Sequence, residues 1–111
     1  MDSFTVGQIV VVKFPFSNLA TAKNRPALVL AVGDYGNPVL CQITSSIGNQ
    51  LDWVVVLEEA DVQDGNLQMK SYARVDKMFT ADPSIIVRKI GVLSRGKQLE
   101  IKLKLVAFFG L

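Results

Sequence analysis

The stretch GQIVVVKFPFSNLATAKNRPALVL, residues 7–30, decides the predicted fold. It holds two apolar runs, Ile9–Val12 and Ala27–Leu30, that are rich in β-branched and aliphatic side chains. Runs of about four to eight such residues are typical of buried strands rather than of helices. The residues between them, Ser17–Asn24, have the composition of a loop. The sequence therefore predicts two strands that are joined by a loop.

A cation is placed at the start of the second predicted strand, where Arg25 directly precedes Pro26. Proline pushes the residue before it into an extended conformation, and its missing N–H is tolerated at the first position of a strand. Arg25 is therefore predicted to be held rigidly at the mouth of a β-sheet. Because a guanidinium matches the oxygens of a phosphate, this position is a candidate phosphate site.

The composition bounds the class of protein. The chain has 111 residues, of which 50% are hydrophobic and 20% charged. This length and composition predict one folded domain over residues 1–111 and argue against disorder. A net charge of +2 is too small to bind duplex DNA by charge alone, so a local basic cluster matters more. Neither a signal peptide nor a membrane helix is predicted, which favours a cytoplasmic protein.

The residue types also limit the chemistry. The chain has no histidine and one cysteine, Cys41. Within one chain these residues cannot form a disulfide, a His/Cys zinc site or a histidine-dependent nucleophile. Any catalysis must use Arg, Lys, Asp, Glu, Ser, Thr or Tyr. Cys41 itself stands in an apolar run and is predicted to be a small buried hydrophobic residue.

The rest of the chain predicts further strands and turns. A hairpin turn is expected over residues 33–37, an acidic turn-rich segment over residues 58–65, and a loop over residues 79–84. Gly91 is expected to mark a bulge in the last strand. The segment Gly7–Phe16 is predicted to be the first strand followed by an aromatic-proline corner, Phe14-Pro15-Phe16. The other predicted strands are Pro26–Val32, Val39–Ser45, Trp53–Leu57, Lys70–Lys77 and Ile85–Leu93.

The final segment fits two patterns, because its apolar residues alternate like a strand and also form two helical rows. Its residue types are helix formers, Ser94 is a suitable N-cap, and Gly110 is a suitable C-terminal end. We therefore expect a helix, and with it a mainly β fold in which a small, strongly bent sheet or barrel is capped by one helix. The helical rows are Ile101, Leu105 and Phe108, and Leu99, Leu103 and Val106.

Three stretches, in this order, resemble the MazF/PemK/Kid family of toxins from bacterial toxin–antitoxin pairs. The first is G-x-I-V-x-V-x-F-P-F followed by R-P-A-L-V-L, which begins at Gly7. The second is Gln42–Ser45. The third is Ile90–Ser94, which leads into a C-terminal helix that ends at Phe109-Gly110-Leu111. Together they cover nearly the whole chain.

The resemblance implies an SH3-like β-barrel of the MazF/CcdB type with a C-terminal helix, acting as a homodimer. It implies a toxin that cleaves single-stranded RNA, in particular mRNA, as a sequence-selective endoribonuclease without metal or cofactor. The expected reaction is attack by the 2′-OH, which gives a 2′,3′-cyclic phosphate and a 5′-OH and inhibits translation and growth. The expected partners are RNA and a cognate antitoxin whose disordered acidic tail occupies the RNA groove.

The resemblance also assigns site residues. Arg25 would stabilise the charge of the transition state, which is often the largest catalytic effect. Thr44 falls at the family's I-T-S position, where its hydroxyl would donate to the scissile phosphate, and Ser45 would assist. The alternative for Thr44 and Ser45 is a strand-end pair that satisfies backbone groups.

Arg74 and Asp76 lie two residues apart on a predicted strand and therefore share a face. They match the R-x-D placement of some Kid-like members, in which Asp76 would accept the 2′-OH proton. A neighbouring cation weakens a carboxylate as a base, and the alternative is a surface ion pair of small energetic value.

Further residues are predicted to contact RNA. An aromatic ring can stack on unpaired bases, although a large aromatic residue in so small a barrel is as well suited to the core or a dimer interface. Basic side chains, Arg88 among them, either follow the RNA backbone or are ordinary solvated charges. The predicted RNA-binding residues are Phe16, Lys23, Asn24, Gln42 and Lys77.

Two other functions are compatible with the fold. One is a CcdB-like poison of DNA gyrase, which binds its target through the C-terminal end; the tryptophan that this family has before the terminal glycine is absent here, and Arg25-Pro26 favours the ribonuclease. The other is an SH3-like binding module that has no catalytic activity.

Overall fold

The computed structural model describes residues 3–15, 22–49 and 52–111. These residues contain seven strands, one α-helix and three short 3-10 turns, at Asp34–Gly36, Glu59–Asp61 and Pro83–Ile85. The strands are β1 (Gln8–Pro15), β2 (Ala22–Val32), β3 (Pro38–Thr44), β4 (Val54–Leu57), β5 (Val62–Gln63), β6 (Ser71–Thr80) and β7 (Ile86–Leu93), and the helix is α1 (Arg95–Phe109).

The strands form one antiparallel sheet in the order β4-β6-β3-β2-β1-β7-β5. Shifts of register interrupt three of the pairings, and such bulges bend strands and increase their twist, so the sheet curls. One shift lies beside Gly91, as the sequence predicts: Ile9 pairs with Gly91 and Val10 with Lys89, which leaves Ile90 as the extra residue. The predicted mainly β class, a small curled sheet with a C-terminal helix, is confirmed.

The sheet is covered on both faces, and this explains the continuous apolar runs of the opening stretch. Ile9 and Leu28 belong to one hydrophobic core, which also contains Ile101 of α1. Their neighbours Val10 and Val29 belong to a second core. Because successive residues of a strand point to opposite faces, a strand between two cores requires an apolar residue at every position.

β2 begins earlier than the sequence predicts. Lys23 and Asn24, expected in a loop, are paired with β1. Pro26 accordingly lies inside β2 rather than at its first position, so both predictions were wrong. The pairing of β2 with β3 starts only at Ala27. β1 and β2 therefore stay paired beyond the last residue pair of β2 with β3, where the missing N–H of Pro26 removes no bond to β3.

Two other boundaries also differ from the prediction. β6 runs on to Thr80, so Phe79 lies in a strand and not in the expected loop. The ring of Phe79 meets that of Phe14 edge-on, with 4.9 Å between the ring centroids, and this apolar contact favours continuation of the strand. The acidic segment contains a 3-10 turn, as its turn-rich composition suggests, but also the short strand β5, which pairs with β7.

The C-terminal helix begins and ends as predicted. The Oγ of Ser94 accepts a hydrogen bond from the backbone N–H of Lys97 at 3.3 Å, which satisfies a donor of the first turn. Gly110 has the left-handed φ of 73° that commonly ends a helix. Among the described residues, no helix is long and apolar enough to cross a membrane.

The two apolar rows of α1 have different environments. The row Ile101, Leu105 and Phe108 packs on the core, and the ring centroid of Phe108 lies 5.2 Å from that of Trp53. The row Leu99, Leu103 and Val106 is exposed, to 57%, 62% and 44% respectively. The helix thus has one apolar side against the sheet and another that faces outward.

Cys41 is fully buried in the core, as the sequence predicts. The pKa of its thiol is raised from 9.0 to about 12, mainly by burial and also by the nearby Asp76 carboxylate, while a backbone hydrogen bond with Leu28 opposes the shift. The thiol is therefore neutral at physiological pH and packs as an apolar side chain.

We expect Cys41 to make the folded state less stable at alkaline pH. In the unfolded chain the thiol ionises near pH 9, whereas in the folded protein it stays protonated up to about pH 12, so rising pH favours unfolding in this interval. Chemical denaturation at several pH values should show a steeper loss of stability in the wild type than in Cys41→Ala. Equal pH dependence of the two proteins would contradict the buried thiol.

Candidate active site

A cleft of about 690 Å³ lies across the face of β1. One wall comes from the neighbouring strands β2 and β3, the other from β7 on the far side of β1, and the segment Gly65–Met69 borders it as well. The residues that line this cleft are Val11, Asn24, Arg25, Pro26, Ile43, Thr44, Ser45, Gly65, Asn66, Leu67, Gln68, Met69, Ser71, Arg88, Lys89 and Ile90.

Arg25 and Thr44 come together in the cleft because of the strand register. Ala27 of β2 pairs with Gln42 of β3. Arg25 and Thr44 stand two residues further along these antiparallel strands, toward the same end of the sheet, so they occupy neighbouring positions on one face. The structure thus places in one cleft the two residues that the sequence predicts to act on a phosphate.

The Arg25 side chain is embedded in the cleft wall. The residue is half-buried, and its Nε atom is inaccessible to solvent. A partly buried guanidinium is screened less by water than a surface one, and its electrostatic effect on a bound anion is correspondingly larger.

Thr44 is the last residue of β3, and its hydroxyl contacts the backbone of Ser46. Its Oγ1 donates to the Ser46 carbonyl at 3.0 Å and accepts from the Ser46 N–H at 3.2 Å. The backbone contact that the sequence analysis gives as the alternative is therefore present. The neighbouring Ser45 is exposed at the cleft.

Arg74 and Asp76 form the ion pair that the sequence analysis gives as their alternative role. The carboxylate of Asp76 accepts from Nη2 of Arg74 at 2.9 Å and from its Nε at 3.3 Å. Both side chains stand on the face of β6 opposite to Ser71, and neither residue lines the cleft. Their catalytic role stays a prediction.

The predicted RNA-binding residues are spread over the molecule. Asn24 lines the cleft, whereas Lys23, Gln42 and Lys77 do not. Lys23 and Lys77 are exposed, and Gln42 pairs with Arg74 across β3 and β6. Phe16 lies outside the described residues.

The segment Gly65–Met69 is the part of the cleft that the sequence analysis missed. It is fixed at two points: the backbone N–H of Asn66 donates to the Ile90 carbonyl at 3.3 Å, and Leu67 is buried in the core. A side chain on Gly65 would overlap the Ile90 carbonyl, so only glycine allows this close approach to β7. Gly65 itself was the available signal, but the sequence marks it only as part of a turn.

The described residues contain no group of three or more His, Cys, Asp or Glu side chains that could hold a metal ion. The polar atoms of the cleft are instead amides, hydroxyls and cations.

We expect Gly65→Ala to destabilise the protein by about 1–3 kcal/mol, because the added methyl group overlaps backbone atoms of β7 that cannot move independently. Thermal unfolding should show a melting temperature several degrees lower. Gly96→Ala is the matched control, since a Cβ there meets open space and alanine favours the helix. Similar melting temperatures for the two variants would argue against the close approach.

Comparison with known proteins gives a consistent result for fold and family. Toxin MazF-mt6 of Mycobacterium tuberculosis superposes with a TM-score of 0.72 at 19% identity, over 94% of this chain and 97% of that chain. An endoribonuclease from a mycobacterial species gives a TM-score of 0.75 at 15% identity, over 100% and 95%. A mycobacterial endoribonuclease in complex with its cognate antitoxin gives 0.74 at 14%, over 98% and 97%. The TM-scores establish similarity of fold, and at identities this low they establish the fold alone.

No curated protein matches the sequence. The family pattern described as PemK-like, MazF-like toxin of type II toxin–antitoxin system matches residues 5–109. Since this match covers nearly the whole chain and agrees with the fold, the chain belongs to the PemK-like, MazF-like toxin family.

Proposed function

We propose that this protein is an endoribonuclease toxin that cleaves single-stranded RNA, in particular mRNA, at selected sequences. The observation that carries the proposal is the presence of Arg25 and Thr44 at neighbouring positions in one cleft. Membership of a toxin family supports it, as does the similarity in fold to mycobacterial endoribonucleases.

In the proposed reaction the 2′-oxygen of one nucleotide attacks the adjacent phosphorus and loses its proton to a base. The bond from phosphorus to the 5′-oxygen breaks, and that oxygen takes up a proton. The products are a 2′,3′-cyclic phosphate and a 5′-OH, and no metal or cofactor takes part.

Arg25 carries the charge stabilisation in this scheme. The negative charge on the phosphate oxygens grows as the fifth oxygen approaches, and the guanidinium donates two parallel hydrogen bonds toward them. One well-placed donor of this kind is worth about 3–4 kcal/mol in the transition state. A guanidinium remains protonated, so it stabilises charge and does not deliver the proton to the leaving oxygen.

The hydroxyl residues complete the phosphate site. Thr44 releases the Ser46 carbonyl and donates to a phosphate oxygen, and the exposed hydroxyl of Ser45 assists. Asp76 is kept as a candidate base, although its carboxylate is paired with Arg74 and does not line the cleft.

We further propose that the toxin acts in the cytoplasm as one domain over residues 1–111 and that a cognate antitoxin inhibits it. A disordered acidic tail of the antitoxin would occupy the cleft, where it would meet the cations Arg25 and Arg88. A related mycobacterial endoribonuclease has been solved with its cognate antitoxin, which supports this partner.

Replacement of Arg25 by alanine should lower kcat by about 100- to 1,000-fold, because it removes the transition-state charge partner. The assay uses purified, antitoxin-free protein on a long single-stranded RNA with EDTA present, and primer extension maps the cut ends. Thr44→Val, which removes the hydroxyl but keeps the side-chain shape, should give a smaller loss of about tenfold. Circular dichroism and thermal unfolding establish that each variant is folded.

The same assay separates the alternatives. Asp76→Asn keeps the shape of the side chain, so a loss of kcat with an altered pH profile would assign the base to Asp76, and unchanged kinetics would remove it from the mechanism. If folded wild-type protein makes no cuts, the ribonuclease proposal fails. Trapping of DNA gyrase that depends on residues 109–111 would then favour the gyrase poison, and no effect in either assay would favour a binding module.

We also propose that the toxin is a homodimer. The outward row of α1, Leu99, Leu103 and Val106, is a contiguous apolar surface, and surfaces of this kind are typical of protein interfaces. It continues into a groove of about 380 Å³ between α1 and β4, which is a terminal strand of the described sheet. Valines 54–56 of β4 line this groove together with Leu103 and Ala107 of the helix.

Leu103→Glu should therefore convert the protein to a monomer at micromolar concentration, because a buried carboxylate without a partner is strongly unfavourable in an interface. Light scattering coupled to size-exclusion chromatography measures the mass. Lys102→Glu is the control, as it introduces a glutamate at the adjacent exposed position of the helix. A dimer that survives Leu103→Glu would place the interface elsewhere.

A further inference from the structure

Arg88 and Lys89 are consecutive cations of β7, but the structure gives them different surroundings. Nζ of Lys89 donates to the Ser3 carbonyl at 2.9 Å and lies 5.4 Å from the centroid of the Phe4 ring. Lys89 thus ties the N-terminal segment to the sheet. Arg88 is exposed and, in the part of the chain that the structure describes, its side chain makes no hydrogen bond or ion pair.

The register with β1 explains the difference. Arg88 pairs with Val11, which lines the cleft, whereas Lys89 pairs with Val10, which belongs to the second core. Successive residues of a strand point to opposite sides, so the side chains of Arg88 and Lys89 leave β7 in opposite directions. Both residues border the cleft, but the ammonium of Lys89 is directed to Ser3.

Arg25 and Arg88 lie on the two strands that flank β1, and both line the cleft. Arg25 pairs with Val12 on one side of β1, and Arg88 pairs with Val11 on the other side. The backbones of the two arginines are therefore two strand spacings apart, about 10 Å. At this separation the two side chains can hold two different phosphates of one extended RNA strand.

We propose that Arg88 binds a substrate phosphate next to the scissile one and so positions the RNA strand in the cleft. This inference rests on the proposed ribonuclease function. Arg88 is a binding residue in this scheme, distinct from the charge stabiliser Arg25. Its contact forms when RNA binds and is kept in the transition state, so its loss should raise KM and leave kcat nearly unchanged.

The salt dependence of binding provides a second signature. Each phosphate contact on a single strand contributes about 0.7 to the slope of log K against log salt concentration. Loss of the Arg88 contact should therefore reduce this slope by about 0.7. A side chain with only a structural role would not change the slope.

The experiment compares wild type, Arg88→Ala, Arg88→Lys and Lys89→Ala on a short single-stranded RNA that contains a mapped cut site. Cleavage kinetics give kcat and KM. Fluorescence anisotropy, with the same oligonucleotide carrying a 2′-deoxy group at the scissile nucleotide, gives Kd at several KCl concentrations. Thermal unfolding checks that each variant is folded.

We expect Arg88→Ala to raise KM and Kd about tenfold or more at an unchanged kcat, since hydrogen bonds to charged groups are the strong ones. Arg88→Lys should keep most of the salt slope, because the charge remains. Lys89→Ala removes the same charge one residue away and should change Kd by less than about twofold.

Equal effects of Arg88→Ala and Lys89→Ala would overturn the inference, since the two cations would then contribute only general charge. A loss of kcat at constant KM in Arg88→Ala would also overturn it, because Arg88 would then act on the reacting phosphate. In both cases cleavage by the wild type would leave the proposed function standing. A wild type that neither binds nor cuts RNA would remove the proposed function and this inference together.

Discussion

The fold depends on the burial of both faces of its central strands. β1 lies between β2 and β7, and its side chains alternate between two hydrophobic cores. This arrangement fixes the register on each side of β1, because a shift by one residue would exchange the residues of the two cores. Register in turn determines which side chains of the flanking strands reach the cleft. The positions of Arg25 and Arg88 are thus a consequence of how the apolar residues of β1 are buried.

The shape of the cleft depends on a second constraint, the contact between two backbones. A Cβ on Gly65 would overlap the backbone of Ile90 and Gly91, and a Cβ on Gly91 would overlap the Val62 side chain and crowd the Cα of Gly65. This contact holds the residues before β6 against β7 and gives the cleft a wall with two amide side chains, Asn66 and Gln68. This wall is an irregular segment, neither strand nor helix, that is held against β7 by the close backbone contact. Irregular segments on a rigid scaffold are where functional residues are often found.

The sequence predicted the elements whose signals are local. The apolar runs, the Ser94 cap and the left-handed Gly110 act within a few residues, and they located the strands and α1. The prediction of a loop at Lys23 and Asn24 was wrong, because the partner strand β1 decides whether these residues pair.

The same limit applied to the site. Arg25 and Thr44 were predicted from their place in the chain, and the structure brings them together. The sequence placed Arg74 and Asp76 correctly on a common face of β6, but it contains no information on whether that face borders a cleft. Gly65–Met69 was missed because its position at the cleft depends on a contact with β7, which is distant in sequence.

The hydrogen bonds of Thr44 determine at which stage of the proposed reaction its hydroxyl would stabilise the RNA. In the free protein the proton of Oγ1 is held by the neutral carbonyl of Ser46. In the proposed reaction that proton moves from one acceptor to another, so binding a phosphate gains only the difference between the two hydrogen bonds. The difference grows as negative charge accumulates on the phosphate oxygens, because hydrogen bonds to charged acceptors are stronger than those to neutral ones. A hydroxyl that already has a partner thus contributes little to affinity and most of its energy to the transition state.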